Sequence, residues 1–406
     1  MNLTPPGFES LVIVVVVAAF APIIVDLLPG RVRLPQVVLL LVAGILVGPS
    51  VAGWAKADPV SMFSSIGLGF LFLLAGYELD LALFRERAGR LAGMSWLVSL
   101  AGAAALLAGL YSVGVVHSPL VMAIAVTTTA LGTLLPILRD NDMLGGRFGR
   151  YVFASGAVGE LGPIVAMALF LGASGTLIEA VSLVVFLLVA YAVAVLPNRV
   201  RTTRIGEIIR RREHATSQTT LRLSIALLFL LLLAASDEGF DNVLGAFVAG
   251  MVLRRWSPGQ IDLLEAKLDA VGYGFFIPIF FVYSGMTLDI DAIIANPVPM
   301  LVVFVVILVV RGLPALFWYR NDLPRNERLQ MVFLTATTLP LLVALTSIGV
   351  ANGTMTTSAQ ASAIGAGVLT VLVFPIVAVG LRQRQSADPE SGSEPSDRPT
   401  KPPEHS

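Results

Sequence analysis

Apolar windows long enough to cross a bilayer follow one another along almost the whole of this chain, and that pattern removes every soluble architecture. A spanning helix needs about 20 predominantly apolar residues. The sequence offers thirteen such windows, at about 8–29, 34–50, 61–79, 91–112, 118–137, 149–172, 177–197, 219–236, 239–254, 265–287, 296–317, 328–349 and 359–381. Charge is sparse to match: 13% of the 406 residues are charged and 56% are hydrophobic, about half the charge of a soluble surface. The sequence therefore predicts an all-α polytopic membrane protein with about thirteen transmembrane helices. Reading 219–236 and 239–254 as one re-entrant element would give twelve.

The basic residues test this order independently. Arginines follow the odd-numbered helices: Arg31 and Arg33, Arg85 to Arg90, Arg139 to Arg150, a run from Arg199 to Arg222, Arg254 and Arg255, Arg320 to Arg328, then Arg382 and Arg384. The alternate loops contain only Lys56. Such a bias predicts an N-terminus outside and a C-terminus in the cytoplasm of a cell-membrane protein. The first apolar run has no basic flank before it and no small-residue cleavage motif after it, so it reads as a span and not as a signal peptide. Residues 1–384 then form the transmembrane domain. The stretch 385–406, rich in Pro, Ser and Glu, is expected to be a disordered cytoplasmic tail.

Several function classes drop out. Twenty-seven basic residues balance twenty-seven acidic ones, so no net field attracts nucleic acid. There is no Cys, and the three His, His117, His214 and His405, are scattered. No hydrolytic or metal constellation can be assembled within the spans, and no glycine-rich phosphate loop is present. The expectation is a transporter and not an enzyme, without a cofactor, driven by an ion or solute gradient.

The chain also repeats itself. AGYELDL at 75–81 in helix three matches SGMTLDI at 284–290 in helix ten, pairing Gly76 with Gly285 and Asp80 with Asp289. LVAGILV at 41–47 in helix two matches FVAGMVL at 247–253 in helix nine, and GLGF at 67–70 resembles GYGF at 272–275 if the second copy carries a four-residue insertion. Both main matches lie seven helices apart, and an odd number of crossings turns the second copy upside down. Two inverted six-helix repeats, about 8–172 and 219–381, are thus joined by a linker helix at 177–197. Secondary transporters use this architecture, with the site at the midplane where helices are interrupted.

Two interruptions are nominated by the repeat. Helix five carries Thr127, Thr128, Thr129, Gly132 and Thr133 before Pro136; helix twelve carries Thr335, Thr337 and Thr338 before Pro340. Proline removes a donor, and threonine hydroxyls can satisfy the carbonyls a break sets free. The plainer alternative is a continuous kinked helix whose threonines bond back to their own carbonyls. Glu160 stands deep in helix six and Arg311 deep in helix eleven, beyond snorkelling distance, so each requires a partner or a ligand. Sequence leaves open whether they meet. Glu78 at the end of helix three reads as an interfacial residue.

The runs RLPQVVLLLVAGILVGP (33–49), GFLFLLAGYELDL (69–81), TTTA (127–130), LGAFVAGMVLR (244–254) and FFIPIFFVYSGMTLDI (275–290) resemble successive signatures of the monovalent cation:proton antiporter superfamily, its second branch especially. The resemblance covers about residues 10–380. It implies a sodium/proton antiporter-like fold with crossed broken helices, usually a homodimer, in which protons compete with Na⁺ or K⁺ for one carboxylate. In that family the carboxylate follows an Asp, Asn or Gln; here the matching pair is Gly159 and Glu160. Relatives often carry a Glu where this chain has Ser155, while the later arginine is retained as Arg311. The resemblance thus nominates Glu160 and Arg311 as the working pair, and Glu160, Thr128, Thr129, Ser155 and Thr338 as candidate cation ligands. The alternative on the same scaffold is a cation-coupled symporter of a small organic anion, with Arg311 as the anion's receptor.

Overall fold

The computed structural model describes residues 7–27, 35–78, 81–112, 119–143, 145–170, 218–237, 242–256 and 261–387, together with positions 188 and 192. Predicted helix seven apart from those two positions, the arginine-rich loop after it, Asp80 and the tail beyond 387 lie outside these residues. Among the described residues the structure is helical throughout, without strands. In chain order the helices are α1 (Phe8–Leu27), α2 (Gln36–Val47), α3 (Ser61–Glu78), α4 (Arg87–Ser112), α5 (Pro119–Ala125), α6 (Leu131–Asp140), α7 (Gly146–Phe170), α8 (Thr219–Asp237) and α9 (Asn242–Trp256). They continue with α10 (Ile261–Val271), α11 (Ile277–Met286), α12 (Ile290–Ala295), α13 (Val298–Ile307), α14 (Pro314–Trp318), α15 (Arg325–Ala336), α16 (Pro340–Ala351) and α17 (Thr357–Ala387). Every predicted span carries helix at its described residues.

Among the described residues six stretches are long and apolar enough to cross a membrane: Asp58–Glu78, Arg87–Ser112, Leu264–Met286, Val298–Trp318, Arg325–Ala351 and Thr357–Arg382. Shorter apolar helices cover Phe8–Ile24, Gln36–Val47 and Thr219–Ala235. α8 and α9, the two helices of the alternative twelve-span count, pack side by side; the link between them, 238–241, lies outside the described residues. One boundary moves: α17 runs to Ala387, past the start of the expected tail. Its last residues, LRQRQSA, are mostly good helix formers, and its arginines near the C-terminus favour continuing the helix.

The repeat predicts a specific set of contacts, and the glycines display them. Gly44 on α2 lies against the carbonyl of Val282 on α11, so closely that a methyl there would overlap it. Exchanging each residue for its repeat mate turns that contact into Gly250 on α9 against the carbonyl of Leu73 on α3, and this contact is present too. Gly285 meets the Leu41 carbonyl, and its mate Gly76 meets the Phe247 carbonyl. Two helix pairs, α2 with α11 and α9 with α3, therefore approach backbone to backbone by the same rule. Small residues permit that approach where lipid supplies no hydrophobic drive between helices. These pairs form a closely packed frame.

Among the described residues two π turns interrupt the helices, Gly272–Phe276 between α10 and α11 and Leu308–Gly312 between α13 and α14. Such turns insert one residue and re-aim the side chains around them, often at functional sites. The first carries Tyr273 and the second Arg311.

Candidate functional site

The site is built where two helices stop. α5 ends at Ala125 and α6 begins at Leu131; α15 ends at Ala336 and α16 begins at Pro340. Pro340 has no N–H to offer the carbonyl of Ala336, so the helix cannot run through. The last carbonyls before each break need donors, and threonines supply them. Thr127 and Thr128 hydroxyls donate to Ile124 and Ala125 at 2.8 and 2.7 Å. Thr337 donates to Phe333 at 2.9 Å, and within the last turns of α15 Thr335 bonds back to Met331 at 2.8 Å. Both sequence alternatives thus contribute: the helices are broken, and back-bonding threonines finish their ends.

The two breaks are also fastened to each other. Ala130 N–H donates to the Thr337 carbonyl at 2.8 Å, the Thr129 hydroxyl donates to the Thr335 carbonyl at 2.7 Å, and the hydroxyls of Thr128 and Thr338 share a hydrogen bond. Thr370 on α17 holds the second break from behind, accepting from Thr338 N–H at 3.1 Å and donating to the Thr338 carbonyl at 2.8 Å.

Helix α7 docks on this crossing through Pro163. In a regular helix the residue at 163 would donate to the carbonyl of Gly159, and proline cannot. That freed oxygen accepts the N–H of Thr129 at 3.1 Å. Glu160, the next residue, turns its Oε1 to the N–H of Leu131 at 3.2 Å. Leu131 is the first residue of α6, so the carboxylate satisfies one of the unpaired donors at that N-terminus and faces the positive end of the helix dipole.

Arg311 approaches from the second π turn and is 1% exposed. Its Nε donates to the Thr129 hydroxyl at 3.0 Å and its Nη2 to the Ser155 carbonyl at 2.9 Å. Among the described residues it forms no ion pair, so Glu160 is not its partner. Neutral oxygens hold the charge instead. The Ser155 hydroxyl is paired with Tyr319 Oη at 2.7 Å. A methyl at Gly159 would collide with Thr129 and stand 2.8 Å from Arg311 Nη2. The glycine before the carboxylate is thereby explained: the arginine and Thr129 fill the space of a side chain.

A cavity of about 400 Å³ opens in front of Glu160. Its polar lining comprises Gln36, Glu78, Thr133, Glu160 and Tyr273, with the backbone of Ala130 and Gly132; Leu71, Phe72, Phe281 and Leu341 form apolar wall. Of the predicted cation ligands only Glu160 lines it. Thr128, Thr129 and Thr338 are turned into the crossing, and Ser155 lies behind with Arg311. Glu78, read from sequence as interfacial, belongs to the cavity wall; Arg254 Nη1 caps the end of its helix, donating to the carbonyls of Tyr77 and Glu78 at 2.8 and 3.0 Å. Gln36 and Tyr273 were not singled out by sequence. The insertion needed to align GYGF with GLGF was the one signal of an irregular turn there.

Outside the spans, Asp322 in the turn after α14 accepts Arg87 Nε and Nη2 at 2.7 and 3.1 Å. That guanidinium holds the Asp322 carboxyl below its ordinary range. The pair ties α4 to the turn that begins with Tyr319.

Residues 15–381 match the family described as sodium/hydrogen exchanger, transmembrane. The chain belongs to the sodium/hydrogen exchanger family. It is a multi-pass membrane protein of a transporter family. The structure of this exchanger-family chain is similar to that of the sodium proton antiporter MjNhaP1 from Methanocaldococcus jannaschii at pH 8, with a TM-score of 0.61 over 93% of this chain and 97% of that one, at 16% identity. YjbQ of Bacillus subtilis is 26% identical over 94% of this chain, which spans 64% of YjbQ. The Na⁺/H⁺-K⁺ antiporter GerN of Bacillus cereus is 23% identical over 65% of this chain and 68% of its own length. Cation/H⁺ antiporter 18 of Arabidopsis thaliana is 28% identical over 64% of this chain, which spans 35% of that protein. The chain is thus shorter than several of its relatives.

Proposed function

We propose that this chain exchanges Na⁺ or K⁺ for protons across the membrane by alternating access, with Glu160 carrying either species in turn. The observation that supports this best is the position of Glu160: a membrane carboxylate at the crossing of two broken helices, open to a cavity. A carboxylate at that depth needs a proton, a cation or a partner. Arg311 is engaged elsewhere, and backbone N–H donors at the start of α6 leave lone pairs of the Glu160 carboxylate free for a cation or a proton. The names of GerN and the Arabidopsis relative point the same way.

One carboxylate that binds either a proton or a cation couples the two fluxes without a cofactor. The cavity is lined by the start of α2 and the end of α3, the ends that the arginine distribution assigns to the cytoplasm. On this reading the site stands open inward. The broken pair then moves against the rest of the molecule, within a homodimer in the cell membrane, N-terminus outside. The anion symporter would need Arg311 facing the cavity; the buried guanidinium is committed to Thr129 and Ser155.

Purified protein in liposomes with an internal pH dye tests the proposal. A Na⁺ or K⁺ pulse is expected to move protons in the opposite direction without any organic solute. A response to an organic anion, and none to either cation, would replace exchange by symport.

A further inference from the structure

The cavity contains a hydroxyl that neither the repeat nor the crossing requires. Tyr273 sits within the π turn Gly272–Phe276, in a stretch long and apolar enough to span the membrane, yet it is 46% exposed and lines the cavity with Glu160. Its hydroxyl is 3.9 Å from where a side chain on Gly132 would begin. Gly132 is the second residue of α6, directly after Leu131, whose N–H holds Glu160. The phenol oxygen therefore stands over the helix end that carries the carboxylate, and it makes no hydrogen bond among the described residues.

Facing the cavity without a protein partner among the described residues, the hydroxyl leaves its lone pairs to water or to a bound ion. The turn is braced for this placement: Phe276, three residues on, stacks on Phe70 of α3 at 5.2 Å with 3° between the rings, and Phe275 meets Phe276 edge-on at 5.1 Å. A hydroxyl fixed from a braced turn suits a hard monovalent cation, which seeks oxygen ligands as it loses water.

We propose that Tyr273 is a specificity-determining ligand, its phenol oxygen completing the coordination of the cation at Glu160 from the wall opposite α6. The proposal rests on the exchange reading above. Because the oxygen is held by a braced turn, it discriminates cations by radius, tolerating one size better than the others. Gly132 contributes by absence, since a side chain there would enter the gap the hydroxyl faces.

The test is exchange in liposomes with Li⁺, Na⁺, K⁺ and Rb⁺ for wild type, Tyr273→Phe and Gly132→Ala. Tyr273→Phe keeps the ring and its packing but removes the oxygen. The KM for the preferred cation is expected to rise about fivefold, the size of one lost hydrogen-bond-like contact, with kcat unchanged and the KM ratios among the four cations drawn together. Gly132→Ala adds a methyl whose only neighbour is the hydroxyl, at ordinary contact distance, so the protein folds, and its ratios are expected to shift towards the smaller ions. Wild-type ratios in both folded variants would overturn the role of Tyr273 while leaving exchange intact. Should Tyr273→Phe not fold, unchanged ratios in Gly132→Ala alone would overturn it. A wild type silent to all four cations would instead remove the exchange reading itself.

Discussion

Arg311 donates to the hydroxyl of Thr129 at 3.0 Å, so the buried cation of one repeat is fastened to the interrupted helix of the other. That hydroxyl also donates to Thr335, and the arginine bridges to α7 through Ser155. The guanidinium thus joins both breaks and the helix of Glu160 without touching the carboxylate. A buried charge without a counter-ion is tolerated only where polar atoms surround it, and here they are oxygens of the crossing.

Gly159→Ala should break this arrangement. Its methyl would collide with Thr129 and crowd Arg311, and such overpacking costs about 1–3 kcal/mol. A lower melting temperature together with a loss of exchange is expected, because the crowded Arg311 and Thr129 hold the crossing together. A variant with wild-type exchange would show that Arg311 need not stay in place.

Pro163→Ala should separate stability from function. Alanine restores an N–H that can reclaim the Gly159 carbonyl, and a proline inside a helix is itself unfavourable by about 3 kcal/mol. The Thr129 N–H then loses its acceptor. Exchange is expected to fall while the melting temperature stays level or rises. A fall in both would mean that the proline serves helix shape alone.

How much of this was legible in the sequence differs by scale. The spans followed from apolar run length, and the repeat from the glycine spacing, because Gly44, Gly76, Gly250 and Gly285 are fixed by backbone approach and leave a mark in the letters. Glu160 and Arg311 stood out as charges too deep to snorkel. Their partners did not, since a hydrogen bond between Arg311 and Thr129 spans 182 residues and depends on a π turn that no local propensity announces. The threonines were visible as a cluster, but which face the cavity is set by the break geometry. Thr133 faces it, while Thr128 and Thr338 face each other.

The repeat makes a paired prediction. Gly44→Ala and Gly250→Ala occupy equivalent contacts and should destabilise alike, by about 1–3 kcal/mol or more, because the opposing atom is backbone. Gly93→Ala and Gly102→Ala, with nothing within 4 Å, should be neutral or stabilising by up to about 1 kcal/mol. Thermal unfolding in detergent measures all four. Strongly unequal effects at Gly44 and Gly250 would argue against equivalent packing.

The surface pair gives a pH signature. The Asp322 carboxyl is held below its ordinary range by Arg87, so its contribution is present above the unfolded carboxylate's pKa and is lost as pH falls through the lowered folded value. Both groups are near solvent, which keeps the effect small. Asp322→Asn should melt slightly lower than wild type at pH 7, with the two converging as pH falls below the ordinary carboxylate range. A gap that widened in acid would contradict the assignment.

The central claim is that Glu160 carries both the proton and the cation. The direct measurement is dye-reported proton movement in liposomes after a Na⁺ or K⁺ pulse, across pH 6 to 9, for wild type, Glu160→Asp and Glu160→Gln. Glu160→Gln is expected to abolish exchange at every pH while remaining folded, and Glu160→Asp, one methylene shorter, to retain part of it. Proton movement in Glu160→Gln as fast as in wild type would contradict the account.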